Sequence, residues 1–159
     1  MRKTICASKL NISFGQCMLS ADAPVCSAKK HFFQDAEERR EHVRHFCDPG
    51  SDDCSFVYDG HVYAETPAEK KSMYEAVQMH TALRYIADKH NVFCCRYELS
   101  YPAEKAESGI PVIEELTKTV IPELYGAVTS GTGCRYCWIA VHLHEKCTET
   151  PHVHVICCM

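Results

Sequence analysis

Four histidines in the last part of the sequence lie on two short apolar runs that have the composition of β-strands. The first run carries His142 and His144, and the second carries His152 and His154. Because successive side chains of a strand point to opposite faces, each pair shares a face, and the valines and isoleucines between them point the other way. Neutral imidazole nitrogens are common ligands of divalent ions. This face therefore predicts a metal site.

The two runs are expected to pair as an antiparallel hairpin. A turn centred on the connecting loop would place His142 opposite His154 and His144 opposite His152. The Cβ atoms of such opposed residues lie about 5 Å apart, so three or four imidazoles could reach one ion. A single His-x-His pair is more often a pair of partly exposed side chains, and it is the second, registered pair that favours metal binding.

The composition predicts one ordinary globular domain over residues 1–159. The chain has 46% hydrophobic residues, a formal net charge of -4 and a calculated pI near 6.2. These values exclude a broadly basic surface, so any nucleic-acid binding must depend on a local patch. No apolar run has the length of a signal peptide core or a membrane span. We expect a cytoplasmic protein without a membrane partner.

Twelve cysteines are an unusual number for that compartment. Without a secretion signal they are expected to be thiols rather than disulfides. Cys134 and Cys137 form the one Cys-x-x-Cys pair and are candidate ligands of a structural zinc ion, with Cys147 or Cys95 as further ligands. The alternative is that the thiols are small buried apolar side chains.

The remaining sequence predicts an α+β fold, with an antiparallel β-sheet and helices packed on one face. The clearest boundary is at Thr66, Pro67 and Glu69, which have the types and spacing of a capping box with proline at the first helical position. The predicted strands are 4–14, 55–58, 93–101 and the histidine hairpin; the predicted helices are 27–45, 66–89 and 108–124, the last followed by an exit loop over 126–133.

The segment Val141-His142-Leu-His-Glu and the segment Thr150-Pro-His152-Val-His154 resemble the metal-binding motif of HUH endonucleases, specifically plasmid mobilisation relaxases of the MobA/MobL type. An upstream Pro-containing acidic helix start and a strand with Glu98 before Pro102 occur in the same order as in that family. The resemblance implies an HUH relaxase-like fold over nearly the whole chain, although only the histidine motif is specific.

The family implies roles for particular residues. His142, His152 and His154 correspond to its three ligands of a divalent ion, Mn²⁺ or Mg²⁺ or alternatively Zn²⁺, and His144 is an additional candidate. Glu98 corresponds to an acidic residue near the nucleophile. The implied partner is single-stranded or hairpin DNA, which a tyrosine hydroxyl attacks to form a covalent phosphotyrosine.

The expected nucleophile position holds Phe32, which has no hydroxyl group. Three explanations stay open: an engineered Tyr-to-Phe variant, a natural descendant that does not nick DNA, or replacement of the nucleophile by Tyr58 or Tyr63.

Two main functions follow for the whole chain. The first is a relaxase-like domain that binds a divalent metal and DNA, with site-specific nicking in plasmid mobilisation as its ancestral reaction. The second is an inactive binding protein of the same fold, such as a phage or plasmid inhibitor of a host nuclease or defence complex. A cysteine-rich zinc protein without a DNA role is the third and weakest hypothesis.

Overall fold

A computed structural model of the protein describes residues 11–14, 17–18, 30–48, 54–100, 109–142 and 152–159. These ranges contain eight strands and three α-helices. In chain order the elements are β1 (Asn11–Phe14), β2 (Cys17–Met18), β3 (His31–Phe32), α1 (Ala36–Cys47), β4 (Cys54–Tyr58), β5 (Tyr63–Ala64), α2 (Pro67–Ala87), a 3₁₀ turn (Lys89–Asn91), β6 (Val92–Ser100), α3 (Gly109–Thr132), β7 (Tyr136–His142) and β8 (His152–Cys158).

The strands form one antiparallel sheet in the order β2, β1, β6, β8, β7, β4, β5, and β3 pairs with β6 beside β1. The last strand in the sequence, β8, lies in the interior of the sheet, with β6 on one side and β7 on the other. All seven residues of β8 are buried, as expected for an interior strand covered on both faces. The predicted α+β class and antiparallel sheet are confirmed.

The first helix is shorter than predicted. It begins at Ala36 because Asp35 caps it, its side chain accepting a hydrogen bond from the backbone N–H of Glu38 at 2.8 Å. The preceding His31 and Phe32 are extended and pair with Cys94 and Phe93 of β6. The predicted helix over 27–45 is therefore wrong at its start, because the polar composition of this stretch did not reveal the cap.

The capping box at the start of α2 is confirmed. Thr66 accepts from the backbone N–H of Glu69, and the Glu69 carboxylate accepts from the N–H of Thr66. The helix α3, in contrast, continues to Thr132, well beyond the predicted end at Leu124. It passes through Pro122 and Gly126 because its buried apolar stripe continues; the buried members are Val120, Ile121, Leu124 and Val128.

Helices cover both faces of the sheet rather than one. One face packs against α3, with β7 contributing Ile139 and Val141 to that core. The other packs against α1 and α2, with β7 contributing Trp138 and Ala140. The face predicted to be polar is thus also covered. Among the described residues, no helix has the length and apolar character needed to cross a lipid bilayer.

Candidate metal centre

The histidine hairpin forms, but its register differs from the predicted one. His142 lies directly opposite His152, and His154 lies opposite Ala140. The predicted pairing of His142 with His154 is wrong by two residues. Because side chains alternate with a period of two, this shift keeps the three histidines on one face. His144 lies outside the described residues.

The helix α1 brings two further histidines to the same face. His45 belongs to a group with His142 and His154 in which one ligand nitrogen from each residue lies within 4.8 Å of the others. The rings of His45 and His142 are 5.2 Å apart between centroids, and those of His42 and His154 are 5.8 Å apart. His42 and His45 are three positions apart and so lie on one side of α1.

His142 is oriented by the end of α1. Its Nε2 atom lies 3.0 Å from the carbonyl oxygen of Phe46, which can only accept a hydrogen bond, so Nε2 carries the proton. Phe46 lies in the last turn of the helix, where carbonyl groups lack intrahelical partners. In the neutral ring, the lone pair is then on Nδ1. Metal-binding histidines commonly use their second nitrogen in this way.

His152 contacts His154 directly. Their Nε2 atoms are 3.0 Å apart, and the ring centroids are separated by 4.7 Å. His152 is not in the group whose nitrogen atoms all lie within 4.8 Å, a search restricted to the described part of the chain. Its predicted role as a ligand remains a prediction, while its contact places it beside the ligand group.

The centre favours neutral imidazoles. Burial, with a contribution from nearby His45, lowers the pKa of His42 to about 4. Burial, together with the neighbouring His142 and His152, also lowers the pKa of His154 well below its usual value. Both rings are therefore uncharged near neutral pH. Their lone pairs are available to a metal ion without competition from protons.

The donor set fits a divalent ion of borderline softness. Zinc takes histidine nitrogens at about 2.0–2.1 Å, which places neighbouring ligand atoms roughly 3.3 Å apart in a tetrahedron. The three nitrogens within 4.8 Å are close enough for small side-chain rotations to reach that spacing. His142 and His152 are fully buried and His154 is 7% exposed, whereas His45 is exposed. Access to the centre is therefore at His45.

Phe32 does not lie beside the histidines. It is 40% exposed on β3, and its ring contacts Phe93 and His90 at centroid distances of 5.9 and 5.5 Å. Phe93 pairs with Cys157, which is three residues and about 10 Å along β8 from His154. Phe93 and Cys157 also belong to the core on the face opposite the histidines. Phe32 is therefore not at the nucleophile position that the family pattern assigned to it, because it lies on β3 and not on the first helix.

The proposed replacement tyrosines lie on the other face of the sheet. Tyr58 is 8% exposed in the core beneath α3, and its hydroxyl donates to the carbonyl oxygen of Gly60. Tyr63 stacks on Tyr58 and donates to the carbonyl oxygen of Lys118. Neither hydroxyl is placed to attack a phosphate held at the histidines.

Two residues of β6 lie next to the histidines. Glu98 pairs with His152, and its side chain is outside the described part of the structure, so its expected role near a nucleophile stays a prediction. Arg96 pairs with His154 and is exposed. It lies on the same face because it follows Cys94 by two positions, and Cys94 belongs to the α1 and α2 core. A positive side chain therefore borders the centre.

The predicted cysteine pair is brought together at the other end of the hairpin. Cys134, Cys137 and Cys157 form a group whose sulfur atoms all lie within 4.8 Å. The described residues thus contain one histidine group and one cysteine group that could hold a metal ion. Cys157 was not predicted, because its adjacency to Cys158 obscured that the two residues point to opposite faces. Cys147 lies outside the described residues.

No protein-family model, curated protein or solved structure matches this chain. The resemblance to HUH relaxases therefore depends on the histidine motif and on the order of the elements. His45 belongs to the histidine group but was not among the residues implied by the histidine motif or by the order of the elements. The signal for it was the His-x-x-His spacing of His42 and His45 within a predicted helix, which places both imidazoles on one helical face.

Proposed function

We propose that this protein binds a divalent ion through His45, His142 and His154 and uses it to hold a phosphodiester of single-stranded or hairpin DNA. The observation that carries the proposal is the convergence of three histidines at a sheet face bordered by the exposed Arg96. An ion at this centre would polarise a phosphate oxygen and offset its negative charge. The all-nitrogen donor set favours Zn²⁺ over Mg²⁺, which prefers oxygen ligands.

In this proposal, His142 and Arg96 have different roles in binding the phosphate. His142 is fixed by the carbonyl oxygen of Phe46, so its Nδ1 lone pair has one direction. Arg96 lies across the β6–β8 ladder from His154, where Cβ atoms are about 5 Å apart. Its guanidinium can donate two hydrogen bonds to a phosphate oxygen pair next to the centre.

We propose binding without a covalent tyrosine intermediate through Phe32 or Tyr58. The position of Tyr58 under α3 and the position of Phe32 at the far end of β6 support this form of the hypothesis. The alternative function, an inhibitor that occupies a host nuclease or defence complex, is favoured by the same separation of metal centre and tyrosines. In that case the exposed rim at His45 and Arg96 would contact protein rather than DNA.

The test is fluorescence anisotropy of a labelled single-stranded oligonucleotide and a labelled hairpin, with Zn²⁺, Mn²⁺ or Mg²⁺ and with chelator. We expect metal-dependent binding that weakens at least tenfold in Arg96→Ala. Arg135→Ala is the matched control, since Arg135 is also exposed but precedes β7 at the cysteine end of the sheet. Equal losses of DNA affinity in both variants would show that net charge alone explains the effect, and would contradict a phosphate site at Arg96.

A denaturing gel of the same mixtures examines catalysis. A covalent DNA adduct that disappears in Tyr58→Phe would contradict binding without nicking and restore the relaxase reaction. Metal binding without any DNA affinity would instead favour the inhibitor hypothesis. Capture of one defined host complex from lysate by the unmodified protein, and not by the His154→Ala variant, would support that hypothesis.

A further inference from the structure

We infer that Cys134, Cys137 and Cys157 form a second metal site, a thiolate site for zinc, on the face of the sheet opposite the histidines. Cys137 and Cys157 are directly opposed on β7 and β8. Their sulfur atoms are 4.0 Å apart. Zinc binds thiolates at about 2.3 Å, which separates two sulfur ligands of a tetrahedron by roughly 3.8 Å. The pair already has nearly this spacing.

The third sulfur comes from the turn after α3. Gly133 adopts a positive φ of 66°, which ends the helix and directs the chain back toward the sheet. The backbone N–H of Cys134 donates to the Thr132 hydroxyl, and that of Arg135 donates to the carbonyl oxygen of Cys158. Cys134 is therefore held from both sides, and its sulfur completes the group within 4.8 Å.

Zinc binding would convert the three thiols to thiolates. Their protons would go to solvent, and three metal–sulfur bonds would form. The closeness of the three sulfur atoms, all within 4.8 Å of one another, is what favours this exchange.

The burial of the group suits a bound zinc ion. Cys137 and Cys157 are 1% and 0% exposed within the core beneath α3, while Cys134 is half-buried. Water or a small ligand can take the fourth position on the side of Cys134. Cys95 shares this core but is not in the group of mutually close sulfur atoms, among the residues that the structure describes. The ion would join the end of α3 to the central hairpin.

The experiment uses the reduced full-length protein with the histidine centre removed by His45→Ala and His154→Ala. Zinc is titrated against a chromophoric chelator, and Co²⁺ is added separately to detect thiolate-to-cobalt charge-transfer absorption. We expect one zinc per chain in this background and a loss of affinity of at least 100-fold on adding Cys134→Ala or Cys157→Ala. Circular dichroism checks that each variant is folded.

The matched control is Cys158→Ala. Cys158 is the next residue of β8 and is equally buried, but it belongs to the core beneath α1 and α2. It should keep zinc affinity and the cobalt spectrum. Absence of zinc in the histidine-free background would overturn the proposal, as would equal losses in Cys157→Ala and Cys158→Ala. Because the histidine centre is absent from this experiment, its result is independent of the function proposed above.

Discussion

The Nε2 atom of His142 donates a hydrogen bond to the carbonyl oxygen of Phe46 across 3.0 Å, joining the end of α1 to the end of β7. This bond connects the strand that carries His142 to the helix that carries His45, the member of the histidine group that the sequence did not predict. It also sets which nitrogen of His142 would face an ion bound by that group. The relative position of α1 and the hairpin therefore determines whether the histidine centre exists.

The geometry predicts different costs for removing His45 and His152. His45→Ala removes a member of the mutually close group and should lower divalent-metal affinity by more than 100-fold. His152→Ala removes a neighbour of His154, and loss of such an outer contact typically costs 10–100-fold. Isothermal titration in a Cys134→Ala, Cys157→Ala background measures both. His61→Ala, at an exposed residue outside the site, should change nothing. A greater loss in His152→Ala would support the ligand set implied by the relaxase family.

Acid should destabilise the metal-free protein. The pKa of His42 falls from 6.5 to about 4 on folding, mainly because the ring is buried. The unfolded chain therefore binds more protons between these values, and the stabilising contribution is complete above pH 6.5 and lost as the pH falls toward 4. The shift corresponds to at most about 3 kcal/mol. Urea unfolding with chelator present, at pH 7.5 and 5, measures the effect. His42→Leu should reduce the dependence, to which the buried His154 also contributes, and an unchanged slope in that variant would contradict it.

Arg39 should matter for both stability and the metal centre. It is 4% exposed, and its guanidinium donates to Gln78 Oε1 and to the Thr81 hydroxyl at 2.8 Å, which holds α1 against α2. Arg39→Ala should lower the free energy of unfolding by about 2–3 kcal/mol and weaken metal binding through His45. Arg40→Ala is the neighbouring exposed control, with a change within about 0.5 kcal/mol. Comparable unfolding curves for the two variants would refute the role of Arg39.

Gly60 and Gly126 make a matched pair of substitutions to alanine. A Cβ atom at Gly60 would lie 2.7 Å from the Cζ and hydroxyl oxygen of Tyr125, and its φ of +102° is unfavourable for other residues. We expect a loss of about 1–3 kcal/mol. At Gly126, inside α3, the added Cβ meets nothing within 4 Å, so alanine should stabilise the helix by up to about 1 kcal/mol. Thermal melts compare the two variants. A higher melting temperature for Gly60→Ala would contradict the expected clash with Tyr125.

The sequence predicted those elements whose ends have local chemical markers. The capping box at Thr66 and Glu69 is confirmed because both partners lie within one turn of the helix. The end of α3 was predicted too early, since Pro122 and Gly126 are usual helix-breaking signals, whereas burial of Leu124 and Val128 against the sheet outweighs them.

The candidate site was predicted only where its residues follow strand periodicity. His142, His152 and His154 share a face because the period of two survives a register shift of two residues. His45 and Cys157 depend on contacts between distant segments. A helix over 27–45 does not specify which of its faces meets the sheet, and adjacent cysteines do not indicate which core each enters. Packing of α1 and pairing of β7 with β8 supply that information.

The position of β8 has a consequence for how the protein is made. It is synthesised after every other element described, yet β6 and β7 both pair with it. During translation, β6 and β7 therefore lack their shared neighbour and expose unpaired backbone groups. The pairing of the sheet can be completed only after β8 has left the ribosome. The histidine and cysteine groups then acquire their last members in the same step, so a chain stalled or cleaved before β8 would have neither.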